Sequence, residues 1–315
     1  MKKKMIACAV MACALAANMV APAMAASWDD SATPAVEDAA VNPLDTGKEI
    51  LYYLFWTSDD KLEADVIDLQ SELLLSDQQL EALKELGLKE HLACQTLNET
   101  YSSNSRSSID TFNAVLDENT QANKQEMQEI LGDKTEDFRD WISSWWEEER
   151  QYRMNANVME FSDVDRISKV WATQYSPDTS GAVEVALPDK YVKFANLGWE
   201  IPSAFKNLYD NPPYTVNVFN PENSKTLNNV EVNDVGPWNE NDNDWDRDRR
   251  KFDDLDVGVP EAYAAYYDDY NNGKDEFGRK VTNPAGIDLS TKAASRLGFS
   301  KNGSGFVDVR YEYLP

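Results

Sequence analysis

The chain has 315 residues, 42% hydrophobic and 11% aromatic, which suits about two folded domains and is too apolar for a wholly disordered protein. It carries 56 acidic against 30 basic residues, a formal net charge of -26. That balance argues against a nucleic-acid binder or a protein docked on anionic lipid, since both need surfaces rich in Lys and Arg.

In chain order, Lys2, Lys3 and Lys4 precede an apolar stretch to about Val20, and Ala23 and Ala25 form an A-x-A site. The pattern predicts a secretory signal over residues 1–25, cleaved near Ala25 or Ala26. As a membrane anchor the apolar run is short. Cleavage removes three lysines and no acid, taking the formal charge to about -29. It leaves Cys94 as the one cysteine, so no internal disulfide forms, and Cys94 reads as a small core residue. Residues 26–46, rich in Ala, Asp, Pro and Thr, read as a flexible lead-in. No later segment is apolar enough to span a membrane.

Residues 47–157 follow a helical period and predict an all-α domain. Ile50, Leu51, Leu54 and Phe55 recur at helical steps, as do Leu62, Val66, Leu69 and Leu73. Ser76 and Gln79 form a capping box that opens a helix bearing Leu80, Leu83 and Leu86. Gly87 is the expected stop of that helix, with Leu88, Leu92 and Leu97 beginning another. Residues 101–108 are polar. Phe112, Leu116, Met127 and Leu131, then Phe138, Trp141, Ile142, Trp145 and Trp146, resume the period, and the tryptophans read as a core stripe. The single histidine, His91, reads as a surface or half-buried helix residue. There is no phosphate-binding loop, no dinucleotide fingerprint and no zinc spacing, so neither a cofactor nor a metal is expected.

The texture changes near residues 155–164, where the domain boundary is expected. Over 165–315, short runs rich in β-branched and aromatic residues lie between turn residues: Val170–Tyr175, Val183–Leu187, Tyr214–Phe219, Asn229–Val232 and Phe306–Tyr311. Their spacing suits a small closed β-barrel. Residues 290–297 read as a short helix capped by Ser290, and 262–270 as another. An insertion over about 239–282 begins with Asp242, Asp244 and Asp246. These three have the spacing of the first half of a calcium loop, but Arg247 stands at its glycine position. The plainer expectation is a solvated loop with its acids paired to Arg247, Arg249 and Arg250.

Two motifs in this half carry a resemblance. Val232-Asn233-Asp234-Val235-Gly236-Pro237-Trp238 is followed by Gly286-Ile287-Asp288-Leu289-Ser290, a short helix and a closing Val307-Asp308-Val309 strand. This order resembles the double-psi β-barrel of the rare lipoprotein A family. Residues 172–177 and 185–189 are similar to the opening strand and first aspartate motif of the related three-aspartate domains of cell-wall proteins. The resemblance covers roughly residues 168–315. It implies a six-stranded double-psi barrel, which with the N-terminal helical domain read from the periodicity makes an α+β chain. It further implies a secreted protein of the cell envelope acting on peptidoglycan or another β-linked glycan, most simply a lytic transglycosylase. Asp234 matches the family's catalytic aspartate, a general acid and then base, with Asp189 and Asp288 as its implied neighbours. Trp238, Trp245 and Tyr175 are the candidate sugar contacts, because aromatic faces pack against sugar rings. The family's histidine on the preceding strand is absent, and Asp189 stands nearest its place. A glycan-binding or wall-loosening module and a β-glycan hydrolase are the alternatives, and the helical domain is expected to position the barrel or bind a protein partner.

Overall fold

The computed structural model of the chain describes residues 41–101, 104–160, 167–177, 179–192 and 214–311, the side chains of 156–160 excepted. The expected export signal, most of the lead-in and part of the expected boundary lie outside the described residues. Residues 41–315 form one compact unit.

The helical half runs α1 (Ile50–Trp56), α2 (Asp60–Glu72), α3 (Asp77–Thr100), α4 (Arg106–Leu131) and α5 (Thr135–Glu160). Side-chain caps begin three of them, of which the sequence predicts the box at Ser76 and Gln79. Asp59 caps α2, Ser76 and Gln79 close a capping box on α3, and Ser105 caps α4. Gly87 does not stop a helix. It lies inside α3, where an added Cβ would come within 2.8 Å of the Leu51 carbonyl carbon and the Tyr52 nitrogen. The glycine serves close approach to α1, whose residues 50–54 are all buried. None of the described helices is long and apolar enough to cross a membrane.

The second half is a closed barrel of six strands: β2 (Ile167–Tyr175), β3 (Glu184–Leu187), β4 (Thr215–Asn220), β5 (Lys225–Val235), β6 (Ala285–Ser290) and β7 (Ser304–Tyr311). Around the ring, β2 pairs parallel with β6, β6 antiparallel with β3, and β3 parallel with β5. Antiparallel pairs β5–β4, β4–β7 and β7–β2 close it. A two-residue β1 (Thr57–Ser58) adds to β7 from the helical side. The architecture is therefore α+β, with a mixed barrel. Inward positions alternate along the strands: Val170 and Ala172, Val185 and Leu187, Val216 and Val218, Val230 and Val232, Ile287 and Leu289, Val307 and Val309 form one apolar core. Outward Trp171, Ala285 and Phe306 instead join the core of the helical half. There they meet Tyr52 and Tyr53 of α1 and the tyrosines of α6 (Glu261–Asp268), which pack against Trp146. The expected tryptophan stripe is part of this core, with Trp141 stacked on Trp145.

β6 has no counterpart among the strands expected from β-branched runs. Its residues Ala285–Ser290 read instead as the approach to the helix α7 (Thr291–Arg296), which Ser290 does cap. The start of the insertion is folded inward, where the sequence predicts a solvated loop. Its later stretches around 247–248 and 253–254 are exposed, and the expected pairing of an acid with Arg249 is present. Asp242 and Asp244 are buried, and Arg249 pairs with Asp242 at 2.6 Å.

Candidate functional site

The strand register assembles the site. Ala186 on β3 pairs with Asp288 of β6 on one side and Asp234 of β5 on the other, and Asp288 pairs in turn with Thr173 of β2. Thr173, Asp288, Ala186 and Asp234 thus form one row across four strands. Ala186 faces outward by the ordinary alternation of β3, and the register shift opposite it, with Asn233 as the extra residue of β5, turns Asp234 outward beside it. The neighbours Ile287 and Leu289 point into the barrel core, so Asp288 points out of it. Ala186, which separates the two carboxyls in the row, is buried.

Each group in the row has a distinct environment. Asp288 is half-buried and accepts a hydrogen bond from the Thr173 hydroxyl. Burial pushes its carboxyl up to about 6. The Thr173 hydroxyl opposes that rise, the charge of Asp234 adds to it, and a charge on His91 opposes it. Asp234 is also half-buried, and one of its oxygens accepts from the amide of Val235 at 2.8 Å. The backbone of Gly236 passes directly over Asp288: a Cβ there would lie 3.9 Å from Oδ2, at a φ of +133° that favours glycine. One step along the row, the Tyr175 hydroxyl donates to Glu184 at 3.2 Å, and Asn233 donates to the other oxygen of Glu184 at 3.2 Å. Burial, Glu184 and Asp234 hold the Tyr175 phenol well above its ordinary range.

The other expected site residues are elsewhere. Asp189 is fully buried, ion-paired with Arg250, and accepts from the Tyr191 amide at 3.0 Å. Its carboxylate is committed to holding the insertion against β3. Trp238 is 7% exposed and donates to Asn283 at 3.2 Å within the helical core. Trp245 is 4% exposed and stacks on Tyr311 at 4.3 Å in the barrel core. Neither offers a face to a sugar. Tyr175 is half-buried on β2, two residues beyond Thr173. A cleft of about 460 Å³ opens away from the aspartates, between Trp56, Lys84 and the loop carrying Phe299 and Ser300. Among the described residues, no group of three or more His, Cys, Asp or Glu side chains is arranged to hold a metal ion.

Sequence reasoning missed a buried pair in the helical half. His91 of α3 is 2% exposed, against the expectation of a surface or half-buried position, and its Nδ1 lies 2.6 Å from Oε2 of the fully buried Glu49. The two are 42 positions apart on an otherwise ordinary helical pattern, so no spacing signals them.

A family model described as a domain of unknown function (DUF8814) matches residues 168–310, which is the barrel from β2 to β7 and leaves the helical half outside. No curated protein and no solved structure matches the chain.

Proposed function

We propose that the chain is an exported cell-envelope protein that cleaves the glycan strands of peptidoglycan as a lytic transglycosylase, with Asp288 and Asp234 as its reacting carboxyls. The observation that carries this reading is the pair itself. Two outward carboxyls flank one small residue, and one of them is pushed up to about 6. A glycosidase-type acid must hold a proton near neutrality, and burial beside a like charge is how a carboxyl comes to do so. The motif resemblance assigns the acid to Asp234, whereas the environments favour Asp288 as the proton donor. Asp288 protonates the glycosidic oxygen as the bond to the anomeric carbon breaks. The sugar's own primary hydroxyl then bonds to that carbon and gives its proton to the Asp234 carboxylate. Tyr175, half-buried two residues beyond Thr173 on β2, is the remaining aromatic candidate for contact with a sugar. The export signal and the motif resemblance supply the substrate class and the location, and the helical half is read as positioning the barrel or binding a partner.

The finer topology we read as double-psi. The parallel pairs β2–β6 and β3–β5, each with a register shift, interlock through the β3–β6 contact, and this supports the reading. A second reading, hydrolysis with inversion, is favoured by spacing. Positions two strands apart lie about 10 Å apart along the backbone, and inverting enzymes hold their carboxyls ~6.5–9.5 Å apart, with room for a water.

Digestion of purified peptidoglycan, with products read by mass spectrometry, tests both. Anhydro-muropeptides from the wild type, reduced ~10²–10⁴-fold in Asp288→Asn and in Asp234→Asn, are the expected outcome. Reducing-end products instead establish the hydrolase. Sedimentation with the wall and no release by any of the three proteins leaves a glycan-binding or wall-loosening module.

A further inference from the structure

We propose that Glu184 of β3 is a positioning residue of the carboxyl row: it clamps the bulge in β5 that turns Asp234 outward. The inference rests on the reading of Asp234 as a reacting carboxyl.

Asp234 faces outward because β5 carries one extra residue. Val230 and Val232 point into the barrel core, so unbroken alternation would turn residue 234 inward as well. The pairing of β5 with β3 passes instead from Val185 and Val232 to Ala186 and Asp234, which leaves Asn233 over. A bulge interrupts the ladder at its extra residue, so side chains must hold the strand there.

Glu184 and Glu231 are paired in this register directly ahead of the bulge. Both face outward, since their neighbours Val185 and Val232 face in. Two carboxylates at paired positions repel. Nδ2 of Asn233 lies between them and donates to Oε2 of each at 3.2 Å. Glu231 is exposed, where water can serve it, whereas Glu184 is half-buried. The other oxygen of Glu184 accepts from the Tyr175 hydroxyl at 3.2 Å, and its amide donates to Oγ of Ser290 at 3.2 Å.

Glu184 therefore touches a chain neighbour of each polar member of the row. Asn233 immediately precedes Asp234, Ser290 lies two residues beyond Asp288, and Tyr175 two beyond Thr173. Neutral donors occupy both carboxylate oxygens, which makes Glu184 a fixed acceptor. The Tyr175 phenol, held well above its ordinary range, keeps its proton for this bond. Past the bulge, the Val235 amide donates to Asp234 at 2.8 Å and the Gly236 amide to the Leu187 carbonyl at 3.0 Å. These two amides report the course of β5 beside Asp234.

Amide hydrogen exchange of the full-length protein, followed by NMR, reads the clamp without reference to activity. Glu184→Gln keeps the shape but puts a donor where Asn233 or Tyr175 also donates. It is expected to speed exchange at Val235 and Gly236 by about tenfold or more, the worth of a bond to a charged acceptor, and to leave Val307 and Val309 of β7 unchanged. Asn233→Ala is expected to do the same, and the double variant to exchange no faster than either single one, because both remove one bond. Tyr175→Phe spares the bond to Asn233 and has the smaller effect. In digestion of solubilised glycan strands, Glu184→Gln is expected to lower kcat ~10–10²-fold with little change in KM, as a displaced reacting group does. Unchanged exchange at Val235 and Gly236, acceleration spread equally over β7, or additive effects in the double variant overturn the proposal. So does accelerated exchange with undiminished release. Should Glu184→Gln fail to fold, Asn233→Ala serves alone: acceleration confined to Val235 and Gly236 supports the clamp, and none overturns it. Accelerated exchange in a chain whose wild type releases no glycan upholds the clamp and removes the activity.

Discussion

At the scale of single residues, three aspartates of similar motif context have three different fates. Asp288 and Asp234 look outward from either side of Ala186 in one row, both half-buried, and the charge of Asp234 raises Asp288. Asp189, two residues past the end of β3, turns inward to Arg250 and is lost to solvent. Removing one member of a buried ion pair costs about 3–5 kcal/mol, because the other charge stays behind. Asp189→Asn is therefore expected to lower the midpoint of denaturant unfolding by about that free energy while leaving glycan cleavage per folded molecule unchanged. A loss of cleavage without a loss of stability would return Asp189 to the chemistry. The aromatic candidates divide on the same ground. Trp238 and Trp245 have their faces covered by core, and Tyr175 alone retains a hydroxyl in the polar row.

At the scale of elements, α1 and α3 form the contact that stacks His91 on Tyr52. α1 is apolar on all sides, as a helix surrounded by protein must be. α3 can reach it only where Gly87 removes the side chain. Gly87→Ala improves intrinsic helix propensity by about 1 kcal/mol. It also drives a carbon into the backbone of Leu51 and Tyr52, an overpacking that typically costs about 1–3 kcal/mol. The net effect expected in chemical denaturation is destabilisation, with the imidazole signal of His91 displaced because its helix is pushed off Tyr52. A stabilised variant would show that α3 acts as an independent helix. The strands follow a simpler rule. Their period-two alternation of valine, isoleucine and leucine fills the barrel, and the register shifts between Trp171 and Ala172 and between Val185 and Ala186 occur on the strands that bear the site.

At the scale of the whole molecule, the acidity that is harmless on the surface is unfavourable inside. Glu261, at the first turn of α6, is buried, and one of its oxygens accepts from Asn239 at 2.8 Å. Burial pushes its carboxyl up to about 8. The bond from Asn239 opposes that rise, and the charges of Asp242 and Asp275 add to it. Between the ordinary glutamate range and about 8 the folded chain holds a proton that the unfolded chain has released. Stability present at acid pH therefore declines as pH rises through that window, by roughly 1.4 kcal/mol per pH unit for each such group. Melting temperatures recorded across that window are expected to fall, and Glu261→Gln to flatten the fall while keeping the bond to Asn239. An unchanged slope in that variant would assign the pH dependence to other groups.

Local order along the chain was enough for the helical period, the capping box at Ser76 and Gln79, the alternating strands, the barrel and the motif pair Asp234 and Asp288. Each of these depends on neighbours a few positions away, through side-chain periodicity or a cap within one turn. The strand β6 escaped because its Gly286-Ile287-Asp288-Leu289-Ser290 run is too short and too mixed to stand out. It becomes a strand by lying between β2 and β3. Which aspartate faces outward, which tryptophan is buried, that Gly87 serves contact instead of termination, and that Glu49 meets His91 under the barrel were all decided by tertiary packing. Those outcomes depend on which surfaces meet across 40 to more than 200 positions of chain. The free energy of burying a charge or an aromatic face is settled only when the partner arrives.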